Sequence, residues 1–149
     1  MRKAINEALK QAMKSREKVR IATLRLINAA ITDRDIEERS KGRDGISNDE
    51  ILAVLAKMIR QREESAKIYE ENGRLEMADQ EKQEIQVIAD FLPAQMDDDD
   101  IKACCRKVVE QTGAQGLRDM GKCMGELKAR YAGQMDFGKA SSVVKDILR

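Results

Sequence analysis

The chain has no histidine and no tryptophan. Across 149 residues it spends one position on proline, three on cysteine and four on Phe and Tyr together. Without histidine, the usual general base and the commonest metal ligand are both missing. Cys104, Cys105 and Cys123 show neither CxxC spacing nor a residue to activate a thiol, so a zinc site, a disulfide framework and a cysteine nucleophile are all unexpected. Cys104 and Cys105 fall on an apolar helix face and read as small core residues. No glycine-rich phosphate loop is present. No apolar run approaches a membrane span, and the amino end lacks the apolar core of a signal peptide; a reducing cytoplasm is the expected location and no membrane partner is expected. Carboxylates are plentiful, but they sit on polar helix faces where ion pairing explains them. The sequence therefore offers no catalytic residue, no metal ligand set and no cofactor site.

What remains is helical. Hydrophobic residues make up 42% and charged residues 37%, with Ala, Leu, Glu, Lys and Arg abundant and β-branched clusters few. That composition points to an all-α protein. The net charge of +1 conceals an uneven distribution. Residues 1–32 carry eight Lys/Arg against two Asp/Glu, residues 33–100 ten against twenty, and residues 101–149 ten against five. Basic ends flank an acidic middle, able to pair internally or to meet a polyanion.

Apolar spacing predicts a first helix over 2–14, with Ile5, Ala8, Leu9, Ala12 and Met13 on one stripe. A second runs from about Lys18 to about Glu38. It is apolar around much of its circumference through Val19, Ile21, Leu24, Leu26, Ile27 and Ile31, and so is expected at the centre of the core. Ser47 and Glu50 form an S-x-x-E capping box with Ile46 and Ile51 as its hydrophobic staple, and Asn72-Gly73 stops the helix that follows. A fourth helix, about 75–91, reads D-Q-E-K-Q-E through its middle and is expected to stand partly apart from the core, as a connector.

Pro93 is the best boundary, since it cannot donate an amide to a continuing helix and disfavours helical geometry at Leu92. An amino-terminal domain of about four helices, 1–92, is thus expected to join a small three-helix bundle, 94–149. Asp97 is placed to cap the first helix of that bundle, with the other aspartates of D-D-D-D in its first turn and Met96 and Ile101 as staple. Its three helices present Ile101, Cys104, Cys105, Val108 and Val109; then Leu117, Met120, Met124, Leu127 and Tyr131; then Ala140, Val143, Val144, Ile147 and Leu148. Asp136 is placed to cap the last of these.

Two features carry functional expectation. On the second helix, Lys18, Ala22, Arg25 and Ala29 form a stripe of small and basic residues that would let a bulky backbone approach while the cations reach its phosphates. In D-M-G-K-C-M-G-E-L-K-A-R, Gly121 and Gly125 lie one turn apart inside a helix, each at a cost of roughly 1 kcal/mol relative to alanine. They form a flat notch beside Lys122, Lys128 and Arg130, open either to a packed helix or to a nucleic-acid backbone. On the third helix Lys57 and Arg60 face outward, whereas Arg62 continues the apolar line and suits an ion pair with another helix. With so few aromatics, an RNA partner would be gripped by shape and phosphate.

D-M-G-K-C-M-G-E-L-K, with L-P-A-Q before it and T-L-R-L-I and K-M-I-R-Q-R-E-E-S further upstream, resembles the bacterial YqeY family across nearly the whole chain. That family is related to the carboxyl tail of GatB, the B subunit of the tRNA-dependent amidotransferase. The resemblance implies an elongated all-helical protein and tRNA as partner, with an amidotransferase or synthetase as a further protein partner. It places RNA contact on Lys122, Gly121 and Gly125, and also on Arg20, Arg25 and Lys57. It implies no catalysis by this chain alone, because the kinase-like half of GatB and its amidase partner are absent; the label of glutamine-dependent carbon–nitrogen ligase would be inherited from the relative. A protein–protein adaptor using the glycine notch is the alternative. The chain departs from the family pattern at Gln134, where a basic residue is expected, and at Phe137, where a small one is usual.

Overall fold

Three of the helices begin where the sequence supplies a side-chain oxygen for their free amides. In the computed structural model, which describes residues 1–149, the Ser47 hydroxyl accepts from Glu50 N at 3.2 Å while the Glu50 carboxylate returns to the Ser47 amide, closing the capping box. Asp97 Oδ1 accepts from Asp100 N at 2.8 Å, and Asp136 Oδ1 accepts from Gly138 N at 2.9 Å. The chain is all-α, with α1 (Arg2–Ser15), α2 (Lys18–Ser40), α3 (Asn48–Glu71), α4 (Leu75–Ala89), α5 (Asp98–Thr112), α6 (Met120–Arg130) and α7 (Phe137–Leu148), and a single 3-10 turn at Leu117–Asp119. No helix is long and apolar enough to cross a membrane.

Contacts divide the chain into Met1–Pro93 and Ala94–Arg149, each with its own apolar cluster. In the first, α2 is the central element, burying Leu24, Ile27 and Ile31 against Ile5, Ile51, Leu55 and Ile88. Its circumference is less enclosed than its composition suggests. Val19 and Leu26 are 39% and 46% exposed, because the apolar stripe is wider than the side that α1, α3 and α4 cover.

The fourth helix corrects a second expectation. Rather than standing apart, α4 pairs with α3 in the most extensive helix contact of the molecule and also touches α2. Its apolar contribution is narrow, from Ala78, Val87 and Ile88, but part of its polar surface faces α3. Arg62 Nε of α3 lies 3.4 Å from Glu84 Oε2, both side chains about 15% exposed, so the ion pair joins two helices as the position of Arg62 implied.

The loop after α2 is fixed by a buried carboxylate. Asp35 takes two hydrogen bonds from the Arg2 guanidinium, at 2.7 and 2.8 Å, and one from the Ile46 amide at 2.9 Å. Arg2 also donates to the Ile46 carbonyl at 2.9 Å, so the start of α1, the C-terminal part of α2 and the entry to α3 share one network. Gly45 sits against this network at φ +149°, and a Cβ there would lie 2.8 Å from Asp35 Oδ1. Only glycine fits.

In the second unit α5, α6 and α7 surround Ile101, Cys105, Val108, Cys123, Leu127 and Val144. Leu117 belongs to the 3-10 turn rather than to the α6 stripe and is 49% exposed; fully buried Cys123 fills the apolar face instead. Phe137 packs at the edge of this core. The Gln134 carbonyl accepts from Met96 N at 2.8 Å, which ties the entry of α5 to the α6–α7 turn.

Candidate nucleic-acid interface

At 3.6 residues per turn, Gly121, Lys122, Gly125, Lys128 and Ala129 fall within about 120° of the α6 surface. All five are exposed, while Cys123 and Leu127 occupy the buried side. The outer face of α6 is therefore small and basic with no acid on it. A Cβ built on Gly121 or Gly125 meets no atom within 4 Å, so neither α5 nor α7 packs into the notch. Gly125, in the helix interior, costs stability and gains no internal contact, whereas Gly121 is the second residue of α6 rather than an interior one and does not carry the full interior cost.

The surrounding cations differ in how free they are. Lys128 makes no ion pair or hydrogen bond through its side chain. Lys122 Nζ donates to the Thr112 carbonyl at 3.2 Å, closing the end of α5. Arg130 is engaged twice, with Glu126 Oε1 at 2.7 Å and with Gln111 Oε1. It lies on the flank of the face rather than over the notch. The turn leading into α6 is held by Asp119, which accepts from the Gln115 amide at 3.0 Å; that bond, with Arg118 and Lys122 nearby, keeps its carboxyl below the usual range.

The first unit shows a similar pattern. Lys18, Ala22, Arg25 and Ala29 are all exposed along α2, and the Arg25 side chain has no partner. Arg20 points elsewhere, half-buried, with Nη1 3.1 Å from Asp90 Oδ2 at the end of α4. Lys57 is exposed and unpaired on the rim of a cavity of about 350 Å³ between α2 and α3, over Ala30, Val54 and Met58. Of the eight residues singled out in sequence, α6 gathers five: Gly121, Lys122, Gly125, Lys128 and Arg130. Arg25 lies on the exposed stripe of α2, and Arg20 and Lys57 lie off that stripe. Ala129 was not singled out; its exposure beside Gly125 completes the flat surface.

Reactive groups are absent from these faces. Cys105 and Cys123 are fully buried, and burial pushes the Cys105 thiol up to about 11. The Cys123 sulfur is 3.6 Å from Thr112 Oγ1 inside the core. Neither thiol is in a position to act on a ligand.

The all-helical scaffold thus carries two exposed helix faces of small and basic residues, one on α2 and one on α6. In sequence, residues 2–148 match the Yqey-like proteins, and the chain belongs to that family. An uncharacterized protein of Schizosaccharomyces pombe is 31% identical over 90 residues, which make up 60% of this chain and 69% of that protein.

Proposed function

We propose that the protein is a tRNA-binding accessory factor of the cytoplasm, related in role to the GatB tail, which holds tRNA by its phosphate backbone and contributes no chemistry of its own. The observation that carries this reading is the empty space at Gly121 and Gly125 beside unpartnered Lys128. Gly125 lies in the interior of α6, where glycine needs a reason, and internal packing does not supply one here. A phosphate backbone approaching α6 would use both the missing side chains and the adjacent charge. Arg25 and Lys18 on α2 provide a second face of the same kind, and the resemblance to the GatB tail favours tRNA among polyanions. By the same resemblance, an amidotransferase or synthetase is the expected protein partner.

Titration of the purified protein with bulk tRNA across a salt series tests the reading. Binding should weaken linearly in log–log form as salt rises, with a slope set by the number of phosphates engaged. Given misacylated tRNA, glutamine and ATP, the same preparation should form no amidated product. Absence of tRNA binding even at low salt would refute the proposal.

A further inference from the structure

We propose that the end of the α3–α4 hairpin is a docking surface for a basic amphipathic helix of a partner protein, separate from the faces assigned to RNA. Three large apolar side chains are exposed there: Ile68 at 55%, Leu75 at 63% and Met77 at 42%. Leu75 is the most exposed large apolar residue of the protein. Leu75 and Met77 line a shallow depression of about 500 Å³ together with Gly73, Arg74 and Glu76. The charge along this end of the hairpin is predominantly negative, with Arg74 beside Leu75 as an exception. Residues 63–81 contain seven Asp/Glu and two Lys/Arg.

This end is built rather than frayed. Arg74 N donates to the Tyr69 carbonyl at 2.8 Å and Asn72 N to the Ile68 carbonyl at 3.1 Å. Gly73 takes φ +74° at the turn, and Lys82 pairs with Glu70 across the hairpin. Leu75 is thus presented on a fixed backbone, which lowers the ordering cost of binding.

Charge complementarity selects the occupant. Phosphate backbones and anionic lipid surfaces are repelled by this rim. A second copy of the same end would bring like charges together across a two-fold interface. A helix with Leu or Ile on one side and Lys or Arg on its flanks would cover the apolar residues and pair the carboxylates. The aspartates at 97–100 provide an internal comparison. Asp97 caps α5 and Asp98 meets Lys139 at 3.1 Å, and none of the large exposed apolar residues lies among them.

The test uses the isotopically labelled full chain, titrated with a synthetic leucine–lysine amphipathic helix and followed by NMR. Amide shifts should concentrate at 68–79 and leave 97–100 largely unmoved. Leu75→Ser combined with Met77→Ser should weaken binding at least about tenfold, and raising salt from about 0.05 to about 0.5 M should weaken it further. The same double variant should keep the parent's tRNA affinity. Shifts spread equally over 97–100, an equally tight complex with a leucine–glutamate helix, or unchanged affinity in the double variant would each overturn the proposal. So would loss of tRNA binding in that variant, or a concentration-dependent dimer that the substitutions abolish.

Discussion

Lys122 reaches from α6 to the last turn of α5, where its ammonium donates to the Thr112 carbonyl at 3.2 Å. The carbonyls at a helix end lack intrahelical donors, and a lysine there also complements the macrodipole. Lys122 consequently has a structural task beside any contact with RNA, whereas Lys128 makes no hydrogen bond or ion pair and only complements the macrodipole in the last turn of α6. Thermal melts should show Lys122→Ala losing about 0.5–1 kcal/mol, with a smaller loss in Lys128→Ala. Equal melting of both variants and the parent would mean the Thr112 contact contributes nothing in solution.

The glycines make a prediction of opposite sign. With no atom within 4 Å of a Cβ at position 125, Gly125→Ala fills no occupied space and gains helix propensity. Denaturant unfolding should report an increase of about 0.5–1 kcal/mol. A decrease would mean that a close contact requires the missing side chain.

Acid should release the network around Asp35. Its hydrogen bonds from Arg2, and next the one from the Ile46 amide, hold the carboxyl at about 2, below the ordinary value of 3.8. The unfolded chain therefore binds more protons between those values. The stability Asp35 contributes is complete above about pH 4 and is lost as pH falls toward 2. Glu50, held at about 2 chiefly by Arg43, acts in the same direction. Arg2→Ala should cost about 2 kcal/mol at neutral pH, by leaving a buried carboxylate with fewer donors, and should shift acid unfolding to higher pH. Gly45→Ala should destabilise by more than about 1 kcal/mol, because φ is unfavourable and Asp35 Oδ1 is in the way. Circular dichroism across an acid titration checks all three.

Separate apolar clusters imply separable stability. Fragments cut between Leu92 and Asp97 should each keep helical circular dichroism. In the full chain, Leu127→Ala should remove about 2–5 kcal/mol from the carboxyl-terminal unit, with amide exchange in α1–α4 unaffected. A carboxyl fragment that folds only when the other half is added would contradict this.

Local signals were legible in the sequence wherever neighbours along the chain decide the outcome. The Ser47–Glu50 box and the Asp97 and Asp136 caps need only residues two or three apart, and each forms as its spacing indicates. What depends on a distant partner was not legible. The run D-Q-E-K-Q-E looks solvated, yet α4 packs on α3, because Glu84 meets Arg62 across the hairpin and small Ala78 allows close approach. Val19 and Leu26 looked central, but exposure depends on which side of α2 its neighbours cover. On α6 the notch and its charges could be read from helical spacing. That Lys122 is tied to Thr112, that Arg130 is occupied and that neither α5 nor α7 fills the notch depend on where those two helices lie.

The most direct test of RNA contact through α6 is a salt-resolved tRNA titration of Lys128→Ala and Gly125→Leu beside the parent, each with its thermal melt. Both variants should stay folded, since a Cβ at position 125 meets no atom within 4 Å and the Lys128 side chain makes no hydrogen bond or ion pair. Lys128→Ala should lower the log–log salt slope by roughly one unit and weaken all tRNAs about equally. Gly125→Leu should weaken binding more, by holding the backbone away from the notch. Parental tRNA affinity and salt slope in both folded variants would contradict RNA contact through this face.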